Sequence, residues 1–568
     1  MVESRIVSSG TLLGGIQGWV EAHPRWTLAL AVVVLLAPFL AKPFNMDDPL
    51  FIWTARQIQA HPLNPYGFML NWYGTDAPMW NVTQNPPLAC YYMAAAGSVL
   101  GWDEIALHTA FLLPAIAVVL GTYRLARRFC ERPLLAALAT LFTPVFLVSS
   151  TTVMCDVLML AFWVWAVVWW VEGIERDDFW LLAGAGVLAA LASVTKYFGV
   201  CLVPLLAVYG WVNKRRVGLW MTSLIIPALA LCAYQWATRT LYHHALVSDA
   251  VHYSGEIKGM MGGTQAVAIL NTFTFAGGCL ACVVFFAPWF WTPRALSVMA
   301  AVAGMLFFSQ GALLKDYGWM TRPAHLWLEA QIIFWTFGGV LVAVLAAEDW
   351  WRQRNPGAWL LGLWVAGTFI FTGFFNWTVN GRSLLPMAPA VGILLARRFQ
   401  TQAARKKAAS PGLNRLLIPL GASAALSFLV AQADYLLAST VQDSALELRE
   451  QYGQGAQTMW FEGHWGFQYY MEALGGRAYP MDPSVLQPGD TVSVPHNNSN
   501  LKYLNLPFVN YKFEGPEYLA CMNLNVGAGF YSTVGGPLPF AFGRVPAERV
   551  MVYQASGQTA PPPGPGKK

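Results

Sequence analysis

An all-α polytopic membrane protein with a small α/β domain outside the membrane is the fold class the sequence predicts, on three observations. The chain is 56% hydrophobic and 11% charged, with a mean hydropathy of +0.44, whereas about a quarter of residues are charged in average soluble proteins. Apolar segments long enough to span a bilayer, at about 20 residues each, recur about thirteen times. After residue 434 the composition turns to mixed polar and aromatic sequence.

The predicted spans lie near 25–42, 105–123, 133–150, 154–171, 179–195, 197–212, 218–237, 266–290, 295–312, 326–347, 357–377, 383–398 and 415–434. The first, preceded by Arg25 and lacking a small-x-small cleavage site, reads as a signal anchor rather than a cleaved leader. With the N-terminus inside, nineteen Lys and Arg fall on the cytoplasmic side, eight on the opposite side and eight in the C-terminal part. That bias sets the orientation, and it accounts for the net charge of +5 without any nucleic-acid partner. An odd number of spans then carries the C-terminal part outside.

The division predicted is a transmembrane domain over 1–434, an external α/β domain over 435–556 and a proline-rich, disordered tail over 557–568. The first external loop, 43–104, carries two short helices lying in the interface. Leu50 to Ala60 has apolar residues at helical spacing and stops before Pro62. Asn85 is placed to cap a second helix beginning at Pro86, since proline is tolerated at the first helical position. In the external domain, Thr491–Val494 alternates as a strand does, Gln487–Asp490 reads as a turn, and Ser444–Gln451 reads as helix. Eight cysteines are present and Cys521 alone falls in the polar part, so no disulfide framework is expected. Cys279 and Cys282 form a single C-x-x-C on one apolar helix face.

The polar residues at the external membrane edge are Asp47, Asp48, Gln84, Asn85, Asp156, Lys196, His243, His244, His252 and Arg382. A charge at mid-bilayer costs at least roughly 2.5–3.5 kcal/mol, so such residues gather at interfaces and in wet cavities. A lone charge at a span end is more often an anchor or half of an ion pair than a catalytic group. Asp47-Asp48, directly after the first span, is the strongest catalytic candidate. No Gly-rich phosphate loop or other cofactor motif occurs. A divalent metal, if one binds, would draw its ligands from Asp47, Asp156, His243 and His244.

The order Asn45-Met46-Asp47-Asp48-Pro49, Gln84-Asn85-Pro86-Pro87-Leu88, Cys155-Asp156, Thr195-Lys196 and Arg382-Ser383-Leu384-Leu385-Pro386 resembles the GT-C membrane glycosyltransferases. The protein O-mannosyltransferase-like family and the lipid A aminoarabinose transferases are the similar groups. Where those families have Asp-Glu, Glu-Lys, Thr-Asp and Arg-Tyr, this chain has Asp47-Asp48, Gln84-Asn85, Cys155-Asp156 and Arg382-Ser383. The resemblance implies the GT-C fold and transfer of a hexose or pentose from a polyprenyl-phosphate donor, with inversion, to a hydroxyl on a lipid, glycan or protein. It implies an extracytoplasmic site in a bacterial inner membrane, Asp47 as base and Asp48 beside it. Gln84, Asn85, Asp156, Lys196 and Arg382 would bind donor or acceptor, the two cations neutralising the departing lipid phosphate.

A cation-coupled secondary transporter using Asp47, Asp48 and Asp156 is the alternative from another class. Transporters place such residues near mid-bilayer and are built from two related halves. Here the carboxylates lie at one edge and no repeat is evident.

Overall fold

The computed structural model describes residues 18–20, 22–83, 85–260, 265–309, 320–406, 413–453, 458–499, 501, 504 and 508–555. The proposed tail, 557–568, and Gln84 lie outside the described residues. Among those described, seven helices are long and apolar enough to cross a membrane, or up to nine if two sharply bent pairs each count as one span. Four shorter apolar helices accompany them: Pro24–Phe39, Leu88–Leu100, Phe179–Thr195 and Pro293–Phe308. The chain is a polytopic membrane protein with a small C-terminal β region.

Local sequence explains where the spans turn. Helix Asp156–Arg176 starts with its own carboxylate in the first turn, where the helix dipole favours negative charge. It stops at Asp177, which adopts the left-handed conformation (φ 54°). Asp178 then caps the next helix, Phe179–Thr195, accepting from the N–H groups of Trp180 and Leu181. This two-residue turn makes a helical hairpin that brings the start of one helix beside the end of the next. That is how Asp156 meets Lys196.

Two expected spans are broken. Thr143 caps and Pro144 opens a second helix within 133–150, so Pro133–Leu141 and Pro144–Ser150 meet at 63°. Gln265–Cys279 and Cys282–Phe290 meet at 84°, so the C-x-x-C straddles a corner rather than lying along one helix face. Just before that corner, Gly277 lets its helix touch helix Arg322–Gln353: a Cβ there would sit 1.8 Å from the carbonyl oxygen of Trp335. Gly339 answers it from helix Arg322–Gln353, 2.0 Å from the carbonyl oxygen of Phe273. Small residues at a helix crossing let two backbones touch, which is how membrane helices gain packing without a hydrophobic drive.

In the external loop the first helix runs Asp48–Ala60, with Leu50, Phe51, Ile52, Ala55 and Ile58 buried. The second runs Leu88–Leu100. Its N-cap is Pro87, with no side-chain cap bond, so Asn85 does not perform the capping expected of it. Between them lies a hairpin of β1 (Met69–Asn71) and β2 (Asp76–Pro78).

The last long helix, Leu413–Tyr452, runs unbroken through residue 434. Beyond it lie β3 (Met459–Phe461), β4 (Arg477–Ala478), β5 (Thr491–Pro495), β6 (Phe508–Glu514), a two-stranded pair β7 (Ala520–Cys521) and β8 (Ala541–Phe542), and β9 (Arg549–Gln554); β3 to β6 with β9 form a five-stranded sheet in the order β4-β3-β5-β9-β6. β3 pairs in parallel with β4 and β5, while β9 runs antiparallel to β5 and β6. Just before β9, Glu548 is buried, and its Oε1 accepts the backbone N–H groups of Asn497 and Arg549, both at 2.8 Å. Burial pushes its carboxyl up to about 7, against those hydrogen bonds.

An unfolded chain releases that proton near pH 4.3, whereas the folded protein keeps it until the pH nears its raised pKa. Stability therefore falls as pH rises through this window, by at most about 1.4 kcal/mol per pH unit. Glu548→Gln, whose carbonyl can still accept from the backbone, is expected to flatten this part of the pH dependence. Thermal unfolding between pH 5 and 8 checks it, and an unchanged slope would refute it.

Candidate active site

Just after the first span, Met46 holds a left-handed backbone (φ 49°) though it is not glycine. Strain of this kind costs on the order of 1–3 kcal/mol and persists where the surroundings fix it. The surroundings here are the C-terminal region. Gly466 donates its N–H to Asn45 Oδ1 at 3.3 Å, and the Tyr470 hydroxyl accepts from the Phe44 N–H at 2.8 Å. A side chain on Gly466 would come within 2.4 Å of the Phe44 carbonyl oxygen.

This turn separates the two aspartates. Asp48 points inward and is wholly buried, with Oδ1 accepting from the Val153 N–H (2.9 Å) and Oδ2 from the Asn45 N–H (3.1 Å). Burial pushes its carboxyl up to about 7, opposed by the nearby Lys42 cation. Asp47 stays 29% exposed and meets the Arg382 guanidinium, Oδ2 to Nη2, at 2.9 Å.

Arg382 is the hub of the site. It sits on the short helix Gly381–Leu384, capped by the Asn380 side chain onto the Ser383 N–H. Its Nη1 lies 3.9 Å from Asp156 Oδ2 and 2.8 Å from Met154 Sδ, and its guanidinium stands over the Tyr531 ring at 5.7 Å. Asp156 gives its other oxygen to Lys196 Nζ at 2.6 Å. Two cations and two carboxylates thus alternate as Asp47, Arg382, Asp156, Lys196. Asp156 Oδ2 and Arg382 Nε are buried without a hydrogen-bond partner among the described residues, so a polar ligand would find one acceptor and one donor waiting.

The structure places the other predicted residues less centrally. The Asn85 carbonyl accepts from the Tyr66 hydroxyl at 2.7 Å, and its side-chain oxygen lies 3.8 Å from Cys155 Sγ, one residue from Asp156. His243 ends helix Ile225–Tyr242 in a left-handed conformation. His244 stacks on Trp80 at 4.1 Å between ring centres and faces Asp249 at 3.2 Å. Among the described residues no three His, Cys, Asp or Glu side chains come together to hold a metal. Asp47 and Asp156 already face cations, so the residues present do not form the expected metal set.

Sequence reasoning missed a second layer. Lys42 is fully buried, pairs with Asp434 of the last long helix and donates to the Thr151 carbonyl at 3.0 Å. The Tyr531 hydroxyl donates to the same Asp434 at 2.9 Å. The main chain around Tyr531 is stitched to the site as well, since the Gly381 N–H donates to the Phe530 carbonyl at 2.7 Å.

Residues 84–239 match the family described as dolichyl-phosphate-mannose-protein mannosyltransferase. The resemblance read from the motifs is to that same family. The match takes in Asn85, Asp156 and Lys196; Asp47, Asp48 and Arg382 lie outside it. Among solved structures, the chain is similar to the Archaeoglobus fulgidus oligosaccharyltransferase tethered to an acceptor peptide, at 13% identity and TM-score 0.45, covering 81% of this chain and 64% of that one. It is also similar to ArnT from Cupriavidus metallidurans bound to undecaprenyl phosphate, at 14% identity and TM-score 0.40, covering 84% and 93%. A third is the mycobacterial arabinofuranosyltransferase AftD, at 14% identity and TM-score 0.37, covering 94% and 40%. The chain thus spans about two thirds of the oligosaccharyltransferase it is similar to. No curated protein matches the sequence.

Proposed function

We propose that this membrane protein transfers a sugar from a polyprenyl-phosphate donor to an acceptor hydroxyl, inverting the anomeric carbon, on the extracytoplasmic face of a bacterial inner membrane. The observation that carries the reading is the partly exposed Asp47 held by Arg382 within one cluster with Asp156 and Lys196. The family description of residues 84–239, which names a dolichyl-phosphate sugar donor, supports the choice of a lipid-linked donor.

In this mechanism the acceptor hydroxyl gives its proton to Asp47 while its oxygen attacks the anomeric carbon from the face opposite the phosphate. The carbon–oxygen bond to the phosphate breaks, and the phosphate leaves with the electron pair. Arg382 and Lys196 stabilise that growing negative charge, an interaction that strengthens where water is excluded. Asp156 orients both cations. Arg382 bonds one Asp47 oxygen, Oδ2, and the acceptor hydroxyl gives its proton to the other. The C-terminal domain, which we place from about residue 453 onward, holds this constellation from outside.

The test is a transfer assay with purified protein and synthetic polyprenyl-phosphate sugars, paired with mass analysis of surface glycans with and without the protein. Release of free polyprenyl phosphate together with a glycosylated acceptor is expected. Solute uptake by reconstituted vesicles, with the lipid-linked sugar unconsumed, would favour the transporter.

A further inference from the structure

The far end of helix Asp156–Arg176 carries a second site. From Asp156 to Glu172 the helix rises about 24 Å at 1.5 Å per residue, most of the roughly 30 Å thickness of a bilayer core. There a cavity of about 390 Å³ is lined by Arg25, Arg124, Arg127, Arg128, Arg176 and Glu172.

Glu172 is nearly buried and organises part of this wall. Arg124 grips it with two bonds of 2.8 Å, while Arg176 and Arg128 approach to 3.7 and 4.0 Å. Arg128 also pairs with Glu175 at 3.1 Å. Arg25 and Arg127 form no ion pair among the described residues. Five guanidiniums therefore face one carboxylate around this cavity, an excess of positive charge that suits an anion.

The depth says which anion. Trp26, 72% exposed, follows Arg25, and Trp180, 82% exposed, lies just past the far end of the same helix. Exposed tryptophans of this kind mark the headgroup level of a bilayer. Basic side chains at span ends are common as simple anchors; here helices Pro24–Leu36, Glu104–Phe129 and Asp156–Arg176 aim them into a shared space. Guanidiniums match phosphate oxygens with paired, directional hydrogen bonds. Basic pockets between spans on the positive side suit the headgroups of anionic lipids.

We propose that this cavity binds the phosphate headgroup of an anionic phospholipid in the leaflet opposite the Asp47 cluster. The inference does not depend on the reaction proposed above.

Native mass spectrometry of the purified full chain, after exchange into mixed phosphatidylglycerol and phosphatidylcholine, tests it. Wild-type protein should retain phosphatidylglycerol preferentially. The double variant Arg25→Gln/Arg127→Gln, which leaves the partners of Glu172 in place, should retain it about thirtyfold less, each basic side chain near an anionic surface contributing about fivefold. Arg25→Lys/Arg127→Lys keeps the charge and should keep most of the retention, which separates loss of binding from loss of folding. Equal retention of the two lipids by wild type, or retention of phosphatidylglycerol unchanged in the Gln variant, would overturn the proposal. So would full displacement of the lipid by inorganic phosphate.

Discussion

Asp47→Asn lowers the rate of sugar transfer by about 10²–10⁴-fold, the range that removal of a general base commonly costs, and leaves the fold intact. The expectation follows from how differently the two neighbouring carboxylates are held. Asp47 is partly exposed and bonded to a side chain that a substrate can draw away, and an asparagine oxygen can still accept from Arg382. Asp48 uses both oxygens on backbone N–H groups inside the protein. Asp48→Asn places a donor against one of those donors, which costs about 1–3 kcal/mol of stability. The pair thus separates into a kinetic residue and a structural one. Transfer rates with saturating donor, measured beside thermal unfolding for both variants, distinguish them. Normal transfer by a folded Asp47→Asn protein would remove Asp47 from the mechanism, and a folded but inactive Asp48→Asn protein would exchange the roles.

The second large effect is on stability. Lys42→Met leaves Asp434 buried with, among the described residues, the Tyr531 hydroxyl as its side-chain partner, and breaking one side of a buried ion pair costs about 3–5 kcal/mol. Replacing both groups with apolar residues, Lys42→Met with Asp434→Leu, is expected to recover most of that loss, because the uncompensated charge is then gone. Unfolding curves of the single and double variants, combined as a double-mutant cycle, give the coupling directly. Equal, additive losses would show that the pair contributes nothing as a pair.

How much of this was legible beforehand depends on what kind of signal each residue carried. Asp156, Lys196 and Arg382 could be gathered from sequence because each stands at the end of a span on the same side, and a membrane confines such residues to one plane. Which atoms meet could not be read, since the turn at Met46 that parts Asp47 from Asp48 depends on contacts from Gly466 and Tyr470, far along the chain. Lys42, Asp434 and Tyr531 carried no local signature. Asp434 coincided with a change of composition and read as a boundary, while its helix continues to Tyr452. Tyr531 is one of 21 tyrosines. The broken span at 143–144 did have a local sign, a threonine before a proline, which is a helix start; the corner at 279–282 had none.

Three of the contacts that shape the site, from Gly466, Tyr470 and Tyr531, come from residues far downstream of Asp47 in the chain. Asp47 is made early in synthesis, yet its turn stays unsupported and Arg382 lacks its aromatic platform until those downstream residues have been made and folded. A nascent chain halted before then would lack the assembled cluster, so the order of synthesis delays the meeting of Asp47, Arg382 and Tyr531 until the downstream region is in place.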